Sequence, residues 1–241
     1  MLEITSKNNP KIKEASLLRM KKERLEKGLF LMEGLKNLEM ALKYGEVQTI
    51  FTSVGLSKTG QDIETYKVTK EIIDKLAYSE NPEGVVFVCK ALKPRKNKED
   101  YHKIIYLDKI NDPGNLGTII RTAVAFDYDA VILSEGTVDP YNEKALAASK
   151  GAIFAIDVFY DDIKNYTANH EVVVSALSDK SVPLNKAPKL KDFVLVLGNE
   201  SHGVSKETLE LANHIVKIEM SDNIDSLNVA VAAGILMNHY K

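Results

Sequence analysis

The stretch NDPGNLGTIIRTA, residues 111–123, decides how the second half of the chain is read. It follows the apolar run IIYLD (104–108) and opens into a segment whose apolar residues recur at helical spacing, the pattern of a strand, a turn and a helix. Gly114 and Gly117 are read as the tight turn. Behind it a helix N-terminus offers unpaired N–H groups, and Arg121 is placed one turn inside that helix.

Outward from this stretch, KIIYLD (103–108), AVILS (130–134), VVVSAL (172–177) and FVLVLG (193–198) alternate with helical segments. Continuous β-branched runs of this kind belong to strands buried on both faces, so residues 103–241 are expected to form a mainly parallel sheet between helices. Upstream, the pattern reads as a helix over Pro10–Lys27, a strand then a helix in LFLMEGLKNLEMALKYG, a strand in VQTIFTS, a helix beginning at Thr69 and a strand in EGVVFVCK. That is a second, smaller α/β unit over 1–92. The stretch KALKPRKNKEDYH (90–102) has no apolar periodicity and carries Pro94, and 93–102 is read as a linker.

Net charge is −2, but it is unevenly spread. Eight Lys and Arg against four Glu in the first thirty residues, and six against two acids over 90–103, each leave a local excess of four positive charges. A lysine-rich helix is usually a solvated face; two such clusters flanking one domain point to a polyanionic partner. Lys21, Lys22, Arg24, Arg95 and Lys96 are the candidate contacts to it. The one cysteine, Cys89, excludes an internal disulfide, and no histidine spacing suggests a metal site. With no apolar run long enough to span a bilayer and no apolar leader, a cytoplasmic protein is expected.

In parallel α/β folds, ligands sit at the carboxyl ends of strands, in the turns that lead to helices. The first such turn, GNLGTIIR, matches neither a dinucleotide fingerprint nor a phosphate loop. In the second, LVLGNESHGVS (195–205), Gly198 ends a buried strand, Asn199 and Glu200 follow, and Ser205 is placed to cap a helix. In the third, IEMSDNIDSLNVAVAAGILMNH (218–239), Ser226 and Asn228 begin a helix whose Ala/Gly-rich body allows close packing, within the subunit or across a dimer.

In this order, NDPGNLGTIIRTA, LVLGNESHGVS and SLNVAVAAGI closely resemble the three motifs of the SpoU/TrmH family of RNA ribose 2′-O-methyltransferases, in the SPOUT superfamily. VDPYNEKALAASKGAIF (138–154) resembles the segment that family carries between its first two motifs, and the first ninety residues resemble its RNA substrate-binding domain. Motif three departs at Glu219, where the family usually has Pro, and at Asp222, where it usually has Gly.

The resemblance implies a deep trefoil knot in the C-terminal domain, a homodimer, and S-adenosylmethionine (AdoMet) held largely by backbone groups. Carried over by motif, the cofactor positions are Gly198, Ile218 and Leu227, with Ala176, Leu197 and Ser226 beside them; the polar site residues are Asn111, Arg121, Glu200, Ser226 and Asn228. Arginine stays protonated, so Arg121 is expected to grip a phosphate and stabilise the developing alkoxide rather than act as a base, with Asn111 and Glu200 fixing it. The activity implied is methyl transfer to a ribose 2′-hydroxyl of ribosomal RNA. The alternatives are a non-catalytic RNA-binding ribosome-assembly protein of the same fold, and the same chemistry on tRNA or in resistance to a ribosome-targeting antibiotic.

Overall fold

The computed structural model describes residues 2–56 and 62–241. It separates into two units, one of Met1–Leu92 with Tyr141–Leu146, the other of Lys93–Pro140 with Ala147–Lys241.

The first unit runs β1 (Leu2–Ile4), α1 (Pro10–Leu17), α2 (Lys21–Lys27), β2 (Leu29–Glu33), α3 (Leu35–Tyr44), β3 (Val47–Thr52), β4 (Glu64–Val68), α4 (Lys70–Leu76) and β5 (Val85–Lys90). Its sheet has the order β1-β4-β3-β5-β2, with β1, β4 and β3 parallel and β5 antiparallel to both β3 and β2. One face is covered by Ile12, Ala15 and Leu18 from the α1 segment and Ile72, Ile73 and Leu76 from α4, packed on Phe51, Tyr66 and Val86.

Two helices stand where the pattern predicts one. Asn9 caps α1 by accepting from Lys11 N at 2.9 Å, and the helix ends where Leu18 turns into the core. The Arg24 guanidinium then donates to Leu18 O at 2.9 Å and Arg19 O at 2.8 Å, satisfying carbonyls that the break leaves without helical partners. Arg24 is therefore buried, a bracket for the helix break. Strands β1 and β4 also escape the sequence reading. β1 is three residues long, and β4 alternates only Tyr66 and Val68 inward among polar neighbours.

The chain continues with β6 (Lys103–Asp108), α5 (Pro113–Ala125), β7 (Ala130–Leu133), α6 (Glu143–Ser149, grouped with the first unit as far as Leu146), β8 (Asp157–Tyr160), β9 (Glu171–Ser175), β10 (Val182–Pro183), β11 (Phe193–Gly198), α7 (Lys206–Leu209), β12 (His214–Lys217) and α8 (Val229–His239), and all of these strands belong to the second unit. Its seven strands lie in the order β10-β12-β9-β11-β6-β7-β8, and every described pair is parallel. All the strand-to-helix turns therefore open on one edge. The central strands are fully buried at Ile104, Ile105, Val172–Val174 and Val194–Val196, as their unbroken apolar runs require. After β12, α8 comes back to pack on α5 and β11.

Residues 95–102 are stitched to this sheet. Arg95 reaches the buried Asp157 with its backbone N–H at 2.9 Å and its Nε at 2.7 Å, and Tyr101 donates to the same carboxylate at 2.9 Å. Lys96 pairs with Asp129 at 2.7 Å and Lys98 with Asp161 at 2.6 Å. Burial alone would raise the pKa of Asp129 and Asp161; the hydrogen bonds, led by those lysines, outweigh it and hold both below the ordinary value. The cationic heads of Arg95 and Lys96 are thus committed to carboxylates within the unit.

Candidate active site at the carboxyl edge of the parallel sheet

The stretch 111–123 is helix almost from its start. Asp112 caps α5 by accepting from Asn115 N at 2.7 Å, and Pro113 fills the first turn, where a missing N–H costs nothing. Gly114 and Gly117 lie inside the helix, and Leu116, Ile119, Ile120 and Ala123 bury its core face. This corrects the reading of a glycine turn. A capped N-terminus and a 3.6-residue apolar repeat outweigh the cost of two glycines, about 1 kcal/mol each. Arg121, the ninth residue of α5, stands more than two turns in, not one.

Three loops meet at this edge. Asn199, just past β11, donates from Nδ2 to Lys109 O at 2.8 Å, and its Oδ1 accepts from Ser201 N at 2.9 Å and His202 N at 3.2 Å. The buried Asp108, at the end of β6, accepts from Ser205 N at 2.8 Å, fixing the start of α7. Ser205 in turn caps α7, as expected. Between these anchors Asn199 and Gly203 pair their backbones at 3.0 and 2.9 Å, closing a tight loop that carries Glu200. Gly198 is indispensable to it: a Cβ there would lie 2.3 Å from Gly203 C and Val204 N. At Tyr106, burial first and the Asp108 charge second push the hydroxyl up to about 12, so this neighbour stays neutral.

Asn115 joins all three motifs. Its Nδ2 donates to Glu200 Oε1 at 3.0 Å, and its Oδ1 accepts from Asn228 Nδ2 at 3.0 Å. Asn228 also caps α8 by accepting from Ala230 N at 2.9 Å and Val231 N at 3.3 Å, so it, and not Ser226, is the N-cap. Sequence reading missed Asn115; the signal was its place at the third residue of a helix cap, where a side chain can point back over the N-terminus. Asn111 is exposed and makes no side-chain hydrogen bond among the described residues. Arg121 and Ser226 are likewise exposed, and Arg121 forms no ion pair or hydrogen bond with Asn111, Glu200, Ser226 or Asn228. The structure thus assembles Glu200 and Asn228 around Asn115 and leaves Arg121 apart, on an open face of α5.

The cofactor positions follow three adjacent strands. Ala176 succeeds β9, Leu197 and Gly198 end β11, and Ile218 succeeds β12; Ser226 and Leu227 lead into α8. Among the described residues, the backbone groups of Ile218, Ser226 and Leu227 make no hydrogen bond with protein. Backbone donors and acceptors left free at a strand edge fit a ligand held by main-chain contacts. Close packing by the small residues of α8 is realised within the subunit, against α5. A Cβ built on Gly234 would meet Thr122 Cγ2 at 3.8 Å, an ordinary contact that alanine would tolerate. The described residues contain no His, Cys, Asp and Glu group able to hold a metal, and no helix long and apolar enough to cross a membrane.

Known proteins share this fold. Residues 9–86 match the MRM3-like substrate binding domain. The 23S rRNA (guanosine(2553)-2′-O)-methyltransferase RlmP of Bacillus subtilis is 32% identical over 100% of both chains. The AdoMet-bound rRNA methyltransferase from Sinorhizobium meliloti superposes with a TM-score of 0.89 at 31% identity, covering 98% of this chain and 96% of the other. A solved RNA 2′-O ribose methyltransferase superposes at 0.80 with 27% identity, over 99% and 97% of the two chains. Residues 102–238, which carry every loop of the site, match the model of the SpoU rRNA Methylase family, and the chain belongs to that family.

Proposed function

We propose that this protein transfers the methyl group of AdoMet to a ribose 2′-hydroxyl of ribosomal RNA. The observation that carries the reading is the Glu200–Asn115–Asn228 relay, which locks motifs one, two and three together beside the free backbone groups of the cofactor loop. AdoMet supplies an electrophilic methyl on a sulfonium, so the protein has only to align the hydroxyl, accept its proton and exclude water. Gly198, Leu197, Ile218 and Leu227, with Ala176 and Ser226, hold the cofactor in this reading; the relay orients Glu200 toward the acceptor nucleotide.

Arg121 supplies the cation that steadies the phosphate and the developing alkoxide. Its separation from the relay within one chain suits a site completed by a second copy. Val231 and Ile235, one turn apart on α8, are 53% and 39% exposed, an apolar strip of the kind a homodimer covers. The knot implied by the family accords with the return of α8 from β12 to α5 and β11. Lys21 and Lys22, exposed on α2, are the phosphate contacts of the first unit; Arg24 brackets its helices, and Arg95 and Lys96 anchor 95–102 to the sheet. A cytoplasmic location fits an enzyme of ribosomal RNA.

The test is direct. Ribose-methylation mapping of total RNA from cells with and without the gene should reveal one rRNA 2′-O-methyl group that depends on it. The guanosine that RlmP modifies, 2553 of 23S rRNA, is the first position to examine. A missing mark in tRNA, with rRNA unchanged, would overturn the substrate assignment.

A further inference from the structure

Lys109 holds a backbone conformation that its residue type resists. Its φ is +57°, in the left-handed region, where a Cβ crowds the following carbonyl and glycine is the ordinary occupant. Among the described residues Asp127 and Lys150 share that region without being glycine, but each stands within two residues of a helix end, α5 or α6, where a left-handed residue is a common cap. Lys109 instead lies between β6 and α5, and its conformation is fixed from both sides. Its backbone N–H donates to Ser134 Oγ at 2.8 Å, and its carbonyl accepts from Asn199 Nδ2 at 2.8 Å. Its neighbours Asp108 and Ile110 are buried, so Lys109 is the exposed residue of this turn. Its stem passes the turn after β7, where a Cβ built on Gly136 would lie 3.6 Å from Lys109 Cγ. Among the described residues the ammonium makes no ion pair or hydrogen bond.

Strained positions that their surroundings enforce cluster at binding and catalytic sites. The charge around this one indicates what it meets. Lys109 is the one Lys or Arg in the loops 109–112, 199–205 and 218–228, which carry five acids: Asp112, Glu200, Glu219, Asp222 and Asp225. A phosphodiester strand laid across these loops is repelled unless a cation stands between its phosphates and the carboxylates. We propose that Lys109 is a phosphate contact of the methyl-transfer site, its ammonium pairing with a backbone phosphate of the RNA strand beside the acceptor ribose and holding that strand off the acidic loops. Asn199 sets the spacing, because the same amide that holds the Lys109 carbonyl accepts from the Ser201 and His202 N–H groups that shape the Glu200 loop. The assignment rests on the methyl-transfer reading of this edge, and adds to Arg121 a second cation on a different element.

Filter binding and single-turnover methylation are measured with the full-length protein on 23S rRNA from a strain lacking the gene, over a range of salt. Lys109→Gly and Lys109→Asn both suit a left-handed backbone and remove the charge. Each is expected to weaken rRNA binding at least about threefold at low salt, to slow methylation at subsaturating rRNA by the same factor, and to reduce the slope of log K against log salt by up to about one unit. AdoMet affinity and melting temperature should stay at their wild-type values, and Lys109→Arg, which keeps the charge, should retain rRNA affinity. Unchanged rRNA affinity and salt slope in both neutral variants, with rRNA still methylated, would overturn the Lys109 assignment alone. Weaker AdoMet binding would overturn it too, by moving the cation to the cofactor's carboxylate, as would a fall in melting temperature common to both variants, by making the residue structural. A wild-type protein that does not methylate the rRNA would overturn the methyl-transfer reading itself.

Discussion

Asn115 donates to Glu200 at 3.0 Å while accepting from Asn228 at the same distance, so one amide spans loops that lie 85 and 113 residues away in sequence. An amide does both at once, donating through its NH₂ and accepting at its carbonyl oxygen. Asn115→Asp places a carboxylate against Glu200 and should lower the single-turnover methylation rate by at least about a hundredfold, the scale of a lost transition-state contact. Asn115→Ala should cost less, since it removes the bridge without adding repulsion. Calorimetric AdoMet titration separates the two roles: an intact Kd with a lowered rate marks a residue that positions the acceptor side.

Arg121 makes no ion pair or hydrogen bond among the described residues, which gives its variants a clean expectation. Arg121→Ala should leave the melting temperature within about 2 °C of wild type, since surface changes rarely exceed about 0.5 kcal/mol, yet abolish methylation. Arg121→Lys keeps the charge but not the planar fork, and is expected to lose at least about a hundredfold. A lysine variant near full rate would reduce the role to charge alone.

Gly198 has a steric constraint rather than a conformational one. Because any Cβ there would overlap the backbone of Gly203 and Val204, Gly198→Ala must push the Glu200 loop away from β11. A destabilisation of about 3 kcal/mol or more, with loss of AdoMet binding, is the expected result by thermal melting and calorimetry.

The basic residues of the first unit should separate into two behaviours. Lys21→Ala with Lys22→Ala is expected to flatten the salt dependence of RNA binding by up to about two units of slope, one per phosphate contact, at unchanged stability. Arg24→Ala should instead lower stability by about 1–3 kcal/mol, because the carbonyls of Leu18 and Arg19 lose a charged, buried donor.

The sheet and its site edge were legible because buried parallel strands announce themselves by composition, as the runs in β6, β7, β9 and β11 did. Short or half-polar strands such as β4, β8 and β12 carried no comparable signal. Glu200 and Asn228 were identified from their motifs, and the structure joins them, but the residue that joins them is Asn115, six positions before Arg121, not Asn111. Only the direction of a side chain over a capped N-terminus distinguishes those asparagines, and that depends on where the helix starts. The fates of Arg24, Arg95 and Lys96 were hidden for a related reason. A cluster of cations looks uniform in sequence, whereas their partners, two carbonyls, Asp157 and Asp129, are set by folding.

The anchoring of 95–102 has a pH signature. Asp129 and Asp161 titrate lower in the folded protein than in the unfolded chain, so they contribute stability above about pH 4 that is lost as pH falls through their folded values. Hydrogen exchange should show the His102 and Lys103 amides, which donate to Asp129 at 2.9 and 3.0 Å, protected at pH 5 and released on further acidification. Asp129→Asn should reduce the protection already at pH 5.

The most direct measurement is methyl transfer itself. Purified protein is incubated with AdoMet labelled in the methyl group and with ribosomal RNA from a strain lacking the gene, and the product is digested to nucleosides. The account predicts label in one 2′-O-methylated nucleoside, with transfer lost in Arg121→Ala and sharply reduced in Asn115→Asp. Label on a base, or none at AdoMet concentrations that saturate binding, would contradict it.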